Sequence, residues 1–320
     1  MMLLRNRLSL RYTLNTFSCR HQEVASSNNL ALLSTSAHQL SSKKNLKEPN
    51  GILKKYENFL KNNFPTSYTV YRQIVDGCKW CISDLKMYYV LRKTLRNNKK
   101  SIEDLKKEEL ECLIKTSSDL SKVLTLAVVA PIPLTIYPLA LAIVFLPRLV
   151  LTHHFWSRQK YKEFFSKNIF LRSRFHYDSL SSMVKINHQQ SLPLKFGDIN
   201  KEVVTVPSFD EMSVLERYHL LRFHQVSLFN GIKKLKERSL LIHCLDDKLR
   251  KTLDNSVDKM NEQEIIVQLY MRKIYFENTD DTEFLRKKLV EWLRHSEKFY
   301  IKGNEGFLLY APIIEKGSKC

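Results

Sequence analysis

VLTLAVVAPIPLTIYPLALAIVFLP, residues 123–147, is the stretch that decides how this chain is organised. It holds no charged side chain, although 27% of the whole chain is charged, and Lys122 and Arg148 close it at either end. A bilayer core of roughly 30 Å is crossed by about 20 apolar residues in helical form. The run therefore predicts a transmembrane helix over residues 123–147. A long hairpin buried in a helical core is the alternative.

The composition favours helices and a polyanionic partner. The chain has 320 residues and only seven glycines, none of them spaced as in a phosphate-binding loop or a dinucleotide fingerprint. Few glycines and no sustained alternation of apolar and polar residues predict an all-α protein. The net charge of +19 indicates contact with nucleic acid or with an anionic lipid such as cardiolipin. A basic presequence and solvated helix faces account for part of it.

The first 45 residues have the composition of a mitochondrial transit peptide. They are rich in arginine and serine, and Glu23 is their only acidic residue. Arginines interrupt the apolar core that a secretory signal would need. A disordered basic tail is the alternative. We predict a presequence over residues 1–45 whose cleavage point lies between residues 20 and 45.

Residues 50–120 are predicted to form a basic amphipathic helical region. Lysine and arginine side chains alternate there with aromatic ones, a pattern that suits nucleic acid or a helix lying on an anionic membrane. The neighbouring apolar run favours the lipid interpretation.

A basic helix is predicted over residues 148–175, directly after the run. Its candidates for binding ribosomal RNA phosphates or anionic lipid are Arg148, Arg158, Lys160, Lys162, Lys167, Arg172 and Arg174. Basic residues beside a span favour the bacterial cytoplasmic side, which corresponds to the mitochondrial matrix. We therefore expect residues 50–120 in the intermembrane space and residues 150–320 in the matrix. The prolines within the run leave open a re-entrant hairpin that would keep both halves on one side.

The C-terminal part is predicted to be a helical bundle. Residues 176–207 hold two prolines and a glycine and are interpreted as a linker. Over residues 208–300, capping signals such as Asn261 with Glu264 open four amphipathic helices joined by short loops, which is typical of an antiparallel bundle. Residues 301–320 are left as a tail.

No catalytic, metal or cofactor site is predicted. The Cys-x-x-Cys motif at residues 78–81 lies within a helix, whereas a redox motif of this kind sits at a strand-to-helix turn. His153 and His154 are interpreted as interfacial anchors in preference to a metal pair. Asp246 and Asp247 are interpreted as part of a solvated face. The chain is accordingly expected not to be an enzyme.

Two stretches resemble the LETM family of mitochondrial inner-membrane proteins. The first is the proline-interrupted run, which ends in Phe145-Leu146-Pro147-Arg148. The second is similar to the family's ribosome-binding-like domain and contains Met260-Asn261-Glu262-Gln263-Glu264-Ile265, then Leu285, Arg286, Leu289, Trp292 and Leu293. The segment NGILKKYENFLKNNFPTSYTVYRQ, residues 50–73, resembles the short LETM-domain-containing branch rather than the long cation-exchange members.

The resemblance implies an inner-membrane protein whose matrix domain, a 14-3-3-like helical bundle, binds mitochondrial ribosomes through rRNA or ribosomal protein. Such a protein would support translation, respiratory-complex assembly and mitochondrial structure. The alternative is a component or accessory of mitochondrial K⁺ or Ca²⁺/proton exchange, as proposed for the long members. Because the run has no ionisable group, transport would need an oligomer that builds a polar path from Thr125, Thr135 and Tyr137.

Overall fold

The computed structural model describes residues 51–129, 152–156, 158–187, 192–200, 202–252, 257–301 and 303–316. Within these ranges the chain is mostly helical, which confirms the helical class. The helices are α1 (Gly51–Asn63), α2 (Pro65–Arg96), α3 (Lys107–Val129), a 3-10 turn (His153–Phe155), α4 (Arg158–Ser181), α5 (Val214–His224), α6 (Gly231–Arg250), α7 (Glu262–Arg272), α8 (Thr282–Phe299) and α9 (Gly306–Lys316). The described residues from Leu60 onward make up one compact unit, and residues 51–59 belong to another.

Local sequence signals explain where several helices begin. Pro65 lies in the first turn of α2, where a backbone N–H would have no partner within the helix. Asn261 caps α7 by accepting a hydrogen bond from the Glu264 N–H at 2.9 Å, and Glu264 accepts one from the Asn261 N–H, so this predicted capping box is confirmed. Ser213 opens α5 with a second capping box, five residues into the predicted bundle range of residues 208–300.

Two segments predicted to lack regular structure contain short elements. The linker, residues 176–207, carries an antiparallel pair of strands, β1 (Lys185–Ile186) and β2 (Val204–Thr205), which adds a small sheet to the all-α description. The prediction that residues 301–320 form a tail without regular structure is wrong over α9. That helix packs against α4, α6 and α8 and buries its apolar side chains, because seven of its eleven residues are hydrophobic.

One hydrophobic core includes residues from both sides of the apolar run. Its buried side chains include Leu105, Leu110 and Leu113 before the run and Leu241 and Leu245 after it. α3 packs along α6. The buried Arg238 of α6 joins them further, since its guanidinium donates to the Ile114 carbonyl on α3 and to the Met271 carbonyl on α7, each at 2.9 Å.

This packing contradicts the predicted placement of residues 50–120 and residues 150–320 on opposite sides of a membrane. Buried side chains touch at about 4 Å, whereas a bilayer core is roughly 30 Å thick. Residues 105–118 therefore lie in the same compartment as the helices that follow the run. The prediction was wrong because it counted charges near each flank, and contacts between the flanks cannot be read from such a count. The alternative with both halves on one side fits the packing.

Most of the predicted span lies outside the described residues. Residues 130–151 and the presequence, residues 1–45, are not among the ranges given above. α3 starts at Lys107 and extends into the run as far as Val129, so it crosses the predicted boundary between the helical region of residues 50–120 and the span. No helix within the described ranges is long and apolar enough to cross a bilayer.

A buried ion pair lies where three helices meet, and it corrects the interpretation of Asp246 as solvated. Asp246 of α6 has no exposed surface and accepts hydrogen bonds from Arg272 Nε and from Trp292 Nε1, each at 2.8 Å. Its neighbour Asp247 is 39% exposed and pairs with Arg250 at 2.8 Å. The Asp246 carboxylate thus ties α6 to the end of α7 and to α8.

Candidate functional site

The flanks of the apolar run meet at a junction of α2, α3 and the 3-10 turn. His153, after the run, lies against Asp119 of α3, and Lys122 Nζ is 5.7 Å from the centroid of the Trp156 ring. A straight helix over the twenty-five residues 123–147 would hold its ends roughly 37 Å apart. The contacts between the flanks therefore contradict the prediction of a single straight pass.

The turn packs directly on the backbone of α2, at Gly77. A Cβ atom at Gly77 would lie 2.7 Å from Phe155 Cδ1 and 3.0 Å from the His154 carbonyl oxygen, so any side chain there would push the turn away. Gln73, one helical turn earlier, donates to the Phe155 carbonyl at 2.7 Å. This close approach brings the histidines of the turn next to Asp84, two turns further along α2.

Both histidines of the turn are buried, and each contacts a carboxylate. His153 Nδ1 is 2.5 Å from Asp119 Oδ2, and His154 Nε2 is 3.1 Å from Asp84 Oδ2. On the other side of the second ring, His154 Nδ1 is 3.0 Å from Thr152 Oγ1. Only 5% and 7% of the two histidines are exposed, so their interpretation as interfacial anchors is wrong.

The charge of the Asp119–His153 pair lies on the carboxylate. Burial by itself would raise the pKa of Asp119, but attraction and the hydrogen bond from His153 outweigh it and the pKa falls. Burial lowers the pKa of His153, and Asp119 opposes this only in part. An ionised carboxylate cannot donate, so the neutral ring donates its Nδ1–H to Asp119 and keeps a lone pair on Nε2.

Three side chains of the junction converge as potential ligands. Asp84, His153 and His154 each offer one ligand atom, and these atoms lie within 4.8 Å of one another. The Trp80 ring meets both imidazoles edge-on, with centroids 5.4 and 4.8 Å apart. The arrangement can hold a proton or a cation. The prediction of no metal site missed this group because about 70 residues separate Asp84 from the histidine pair, and only the fold brings them together.

The basic residues predicted to bind RNA or lipid have different surroundings on α4. Arg148 lies outside the described residues, and for Arg158 only the backbone at the start of α4 is described. Lys162 pairs with Glu262 at the start of α7, at 2.9 Å. Arg172 donates to a backbone carbonyl of α5 at 2.7 Å. Lys162 and Arg172 thus help to hold α4 to its neighbours.

Three of the candidates share the solvent-exposed side of α4 with two apolar residues. Lys160, Lys167 and Arg174 are exposed and recur every seven residues, which places them on one side of the helix. Leu171 and Phe175 lie on the same side and are 43% and 74% exposed. Lys167 also reaches a glutamate one turn earlier, at 2.5 Å. We call these five residues the α4 face; basic groups around an exposed aromatic ring suit phosphates and unstacked bases.

A second histidine pair joins α4 to α5. The Nδ1 atoms of His176 and His219 are 3.0 Å apart. Burial, together with repulsion from His219, Arg172 and Arg222, lowers the pKa of His176 to about 4 from an ordinary value of 6.5. The unfolded chain therefore takes up this proton at a higher pH than the folded chain does.

This pair predicts a pH-dependent effect of replacing His176. Between about pH 6.5 and pH 4 the unfolded state binds more protons at this position, so the folded state loses stability as the pH falls. The His176→Gln variant should lose less stability than the wild type between pH 7.5 and pH 5, with urea denaturation as the measurement. His295→Gln, on α8, is the matched control. Identical pH slopes in wild type and His176→Gln would contradict the prediction.

Part of the chain matches the sequence model of a known protein family. Residues 105–206 match the sequence model of the family described as LETM1-like, RBD. The LETM resemblance is confirmed. The matched range runs from the residues just before α3, through the apolar run and the 3-10 turn, to the end of β2. It lies before residues 208–300, the part of the chain in which the resemblance predicted the ribosome-binding-like domain.

The chain is similar to two curated proteins of the short LETM-domain-containing branch, the branch that the sequence resemblance indicated. The chain is 22% identical over 268 residues to LETM1 domain-containing protein 1 of Homo sapiens, which covers 76% of this chain and 73% of the relative. It is 26% identical over 110 residues to LETM1 domain-containing protein 1 of Xenopus tropicalis, which covers 34% of this chain and 31% of the relative. No solved structure matches the chain.

Proposed function

We propose that this chain is a non-enzymatic protein of the mitochondrial inner membrane that holds a folded helical unit at the matrix face and binds the mitochondrial ribosome there. The observation that carries the proposal is the LETM1-like RBD match, because residues 105–206 include both the apolar run and α4. By this contact the chain would support translation, respiratory-complex assembly and mitochondrial structure.

The end of α3 supports membrane attachment. Leu124 and Val128 are 56% and 69% exposed, and they lead into the uncharged stretch that continues to Pro147. Exposed apolar side chains at the start of so long an uncharged run favour lipid over water. Since the flanks of the run pack together, the whole unit would lie on one side, and the basic residues after the run favour the matrix.

The α4 face is the surface that we assign to ribosome binding. Lys160, Lys167 and Arg174 would meet rRNA phosphates, and an unstacked base would lie against Phe175. Lys162 and Arg172 are engaged in the fold, so they would contribute less to such a contact. Phosphate contacts release bound counterions, so the association should weaken steeply as salt rises.

Reversing the charge of the α4 face should release the protein from ribosomes. The double variant Lys160→Glu/Arg174→Glu should co-sediment with ribosomal subunits at least about tenfold less than the wild type at low salt, because two phosphate contacts become repulsive. Gradient sedimentation of detergent-solubilised mitochondria is the measurement. Lys287→Glu/Lys298→Glu, on the exposed side of α8, makes the same change in net charge. Equal losses in both variants, or no co-sedimentation of the wild type, would contradict the proposal.

The cation-exchange alternative gains one observation from the junction. An exchanger needs ionisable groups next to the lipid. The run supplies none, but the buried Asp119 and the partly buried Asp84 contact His153 and His154, the two histidines that follow the run. Potassium-driven swelling of mitochondria that lack the protein separates the two functions. Normal swelling with defective translation eliminates exchange, and the reverse favours it.

A further inference from the structure

We propose that Asp84, His153 and His154 form a binding site for a divalent transition-metal ion, and that zinc is the ion that fits it. The site joins the middle of α2 to the turn that follows the apolar run. The inference depends on the geometry of the junction alone and is independent of ribosome binding.

The first observation is the convergence of three ligand atoms. One atom from each of the three side chains lies within 4.8 Å of the other two. Zinc binds imidazole nitrogen and carboxylate oxygen at about 2.0–2.2 Å, so the ligands of a tetrahedral site are roughly 3.4 Å apart. Small rotations of side chains would close the cluster around an ion. Asp84 and His154 are already 3.1 Å apart.

The second observation is an unused nitrogen. His153 Nε2 is buried and has no hydrogen-bond partner among the described residues. Its ring donates Nδ1–H to Asp119, so Nε2 carries a lone pair. A buried acceptor without a partner is unfavourable and unusual in a folded protein. A metal ion bound there would supply the missing partner.

The third observation is that each ring is held from its far side. Histidines that bind metal usually donate their other N–H to a carboxylate, carbonyl or water, which fixes the ring and makes the ligand more basic. Asp119 does this for His153 at 2.5 Å. Thr152 Oγ1 lies 3.0 Å from His154 Nδ1, and it can take the same role once the proton of that ring is on Nδ1. Two adjacent histidines thus each have an outer partner in place.

Binding at His154 requires one rearrangement of protons. When the proton of the neutral ring is on Nε2, it is donated to Asp84 Oδ2, and Nδ1 accepts from the Thr152 hydroxyl. When the ion binds Nε2, that proton is lost to water and Nδ1 takes one up, so the ring stays neutral. The Thr152 hydroxyl then turns and accepts from Nδ1–H. No net proton needs to be released at this ring.

The donor set selects the class of ion. Two imidazoles and one carboxylate suit zinc and its neighbours in the transition series, whereas magnesium and calcium prefer oxygen ligands throughout. Three protein ligands leave one tetrahedral position for water. We commit to zinc because tetrahedral binding by nitrogen and oxygen is its common geometry.

Zinc titration of the purified full chain tests the site. The protein is kept in detergent, stripped with a chelator, and titrated by calorimetry against zinc. The wild type should bind one zinc ion per chain at this site, and His153→Gln/His154→Gln should weaken binding by at least about 100-fold. Asp119→Asn keeps an oxygen acceptor for the ring and should weaken it by roughly 10–100-fold, as loss of an outer partner does elsewhere.

The matched control is His176→Gln/His219→Gln, which removes two histidines that are also in contact, at 3.0 Å, but lack a carboxylate of this kind. It should bind zinc as the wild type does. Zinc at about 100 times its Kd should also raise the Tm of the wild type by roughly 5 °C or more and leave that of His153→Gln/His154→Gln unchanged. The proposal is overturned if the wild type does not bind zinc, if both double variants bind it equally, or if only the control loses it.

Discussion

Replacing Asp246 with alanine is expected to lower the free energy of unfolding by about 3–5 kcal/mol, because it leaves a buried charge without its partner. In the native protein this carboxylate accepts from the Arg272 guanidinium and from the Trp292 indole N–H. Gln268 would still accept from Arg272, but it is neutral and cannot balance the charge. Urea denaturation followed by circular dichroism measures the loss.

The adjacent residue provides the matched control for Asp246→Ala. Asp247→Ala removes the same atoms from the same helix. Asp247 is partly exposed and forms a solvent-screened pair with Arg250, so its loss should lower the free energy of unfolding by less than about 1 kcal/mol. Similar losses in the two variants would mean that burial of the first carboxylate does not stabilise the fold.

Cysteines on the two sides of the apolar run are expected to react alike with a membrane-impermeant maleimide. Cys78 is exposed on α2, before the run. Lys160→Cys places a thiol on the α4 face, after it. Because α3 and the helices beyond the run share one core, each thiol should be unlabelled in intact mitoplasts and fully labelled after detergent is added.

The variants for this experiment each keep one thiol and carry serine at the other cysteines. Labelling in mitoplasts at Cys78 but not at residue 160 would restore the single pass with its halves on opposite sides. Labelling at both would keep them together but move the unit to the intermembrane space, against the proposed matrix placement. A matrix protein and an intermembrane-space protein of known reactivity calibrate the reagent.

Helices and their capping residues could be predicted from the sequence because the signals are local. Asn261 with Glu264 fixes the start of α7 through groups three residues apart, and the proline at the start of α2 acts within one turn. Asp246 shows where such reading fails. It shares a helix side with Ile242 and Leu249, both buried, yet an acidic residue in a charged stretch indicates exposure. Its burial depends on Arg272, twenty-six residues away.

The junction could not be predicted for a related reason. His153 and His154 follow a long apolar run, and that position alone indicates a membrane interface. Their partners Asp119 and Asp84 lie 34 and 70 residues earlier. A single sequence carries no signal for pairing over such distances. A basic helix in the region of α4 could be predicted from the sequence. Which of its basic residues are exposed and which pair with neighbouring helices depends on contacts that only the fold shows.

Because its flanks pack together, the apolar run is an insertion between two parts of one helical unit. Asp119 and His153 hold the two ends together whatever lies between Val129 and Thr152. The entropy of closing a segment grows only with the logarithm of its length, so a few residues more or fewer change the stability of the helical unit little. The sequence of the run and the packing of the helical unit are therefore under separate constraints. The length and composition of the run can change between related chains while the helical unit keeps its packed core.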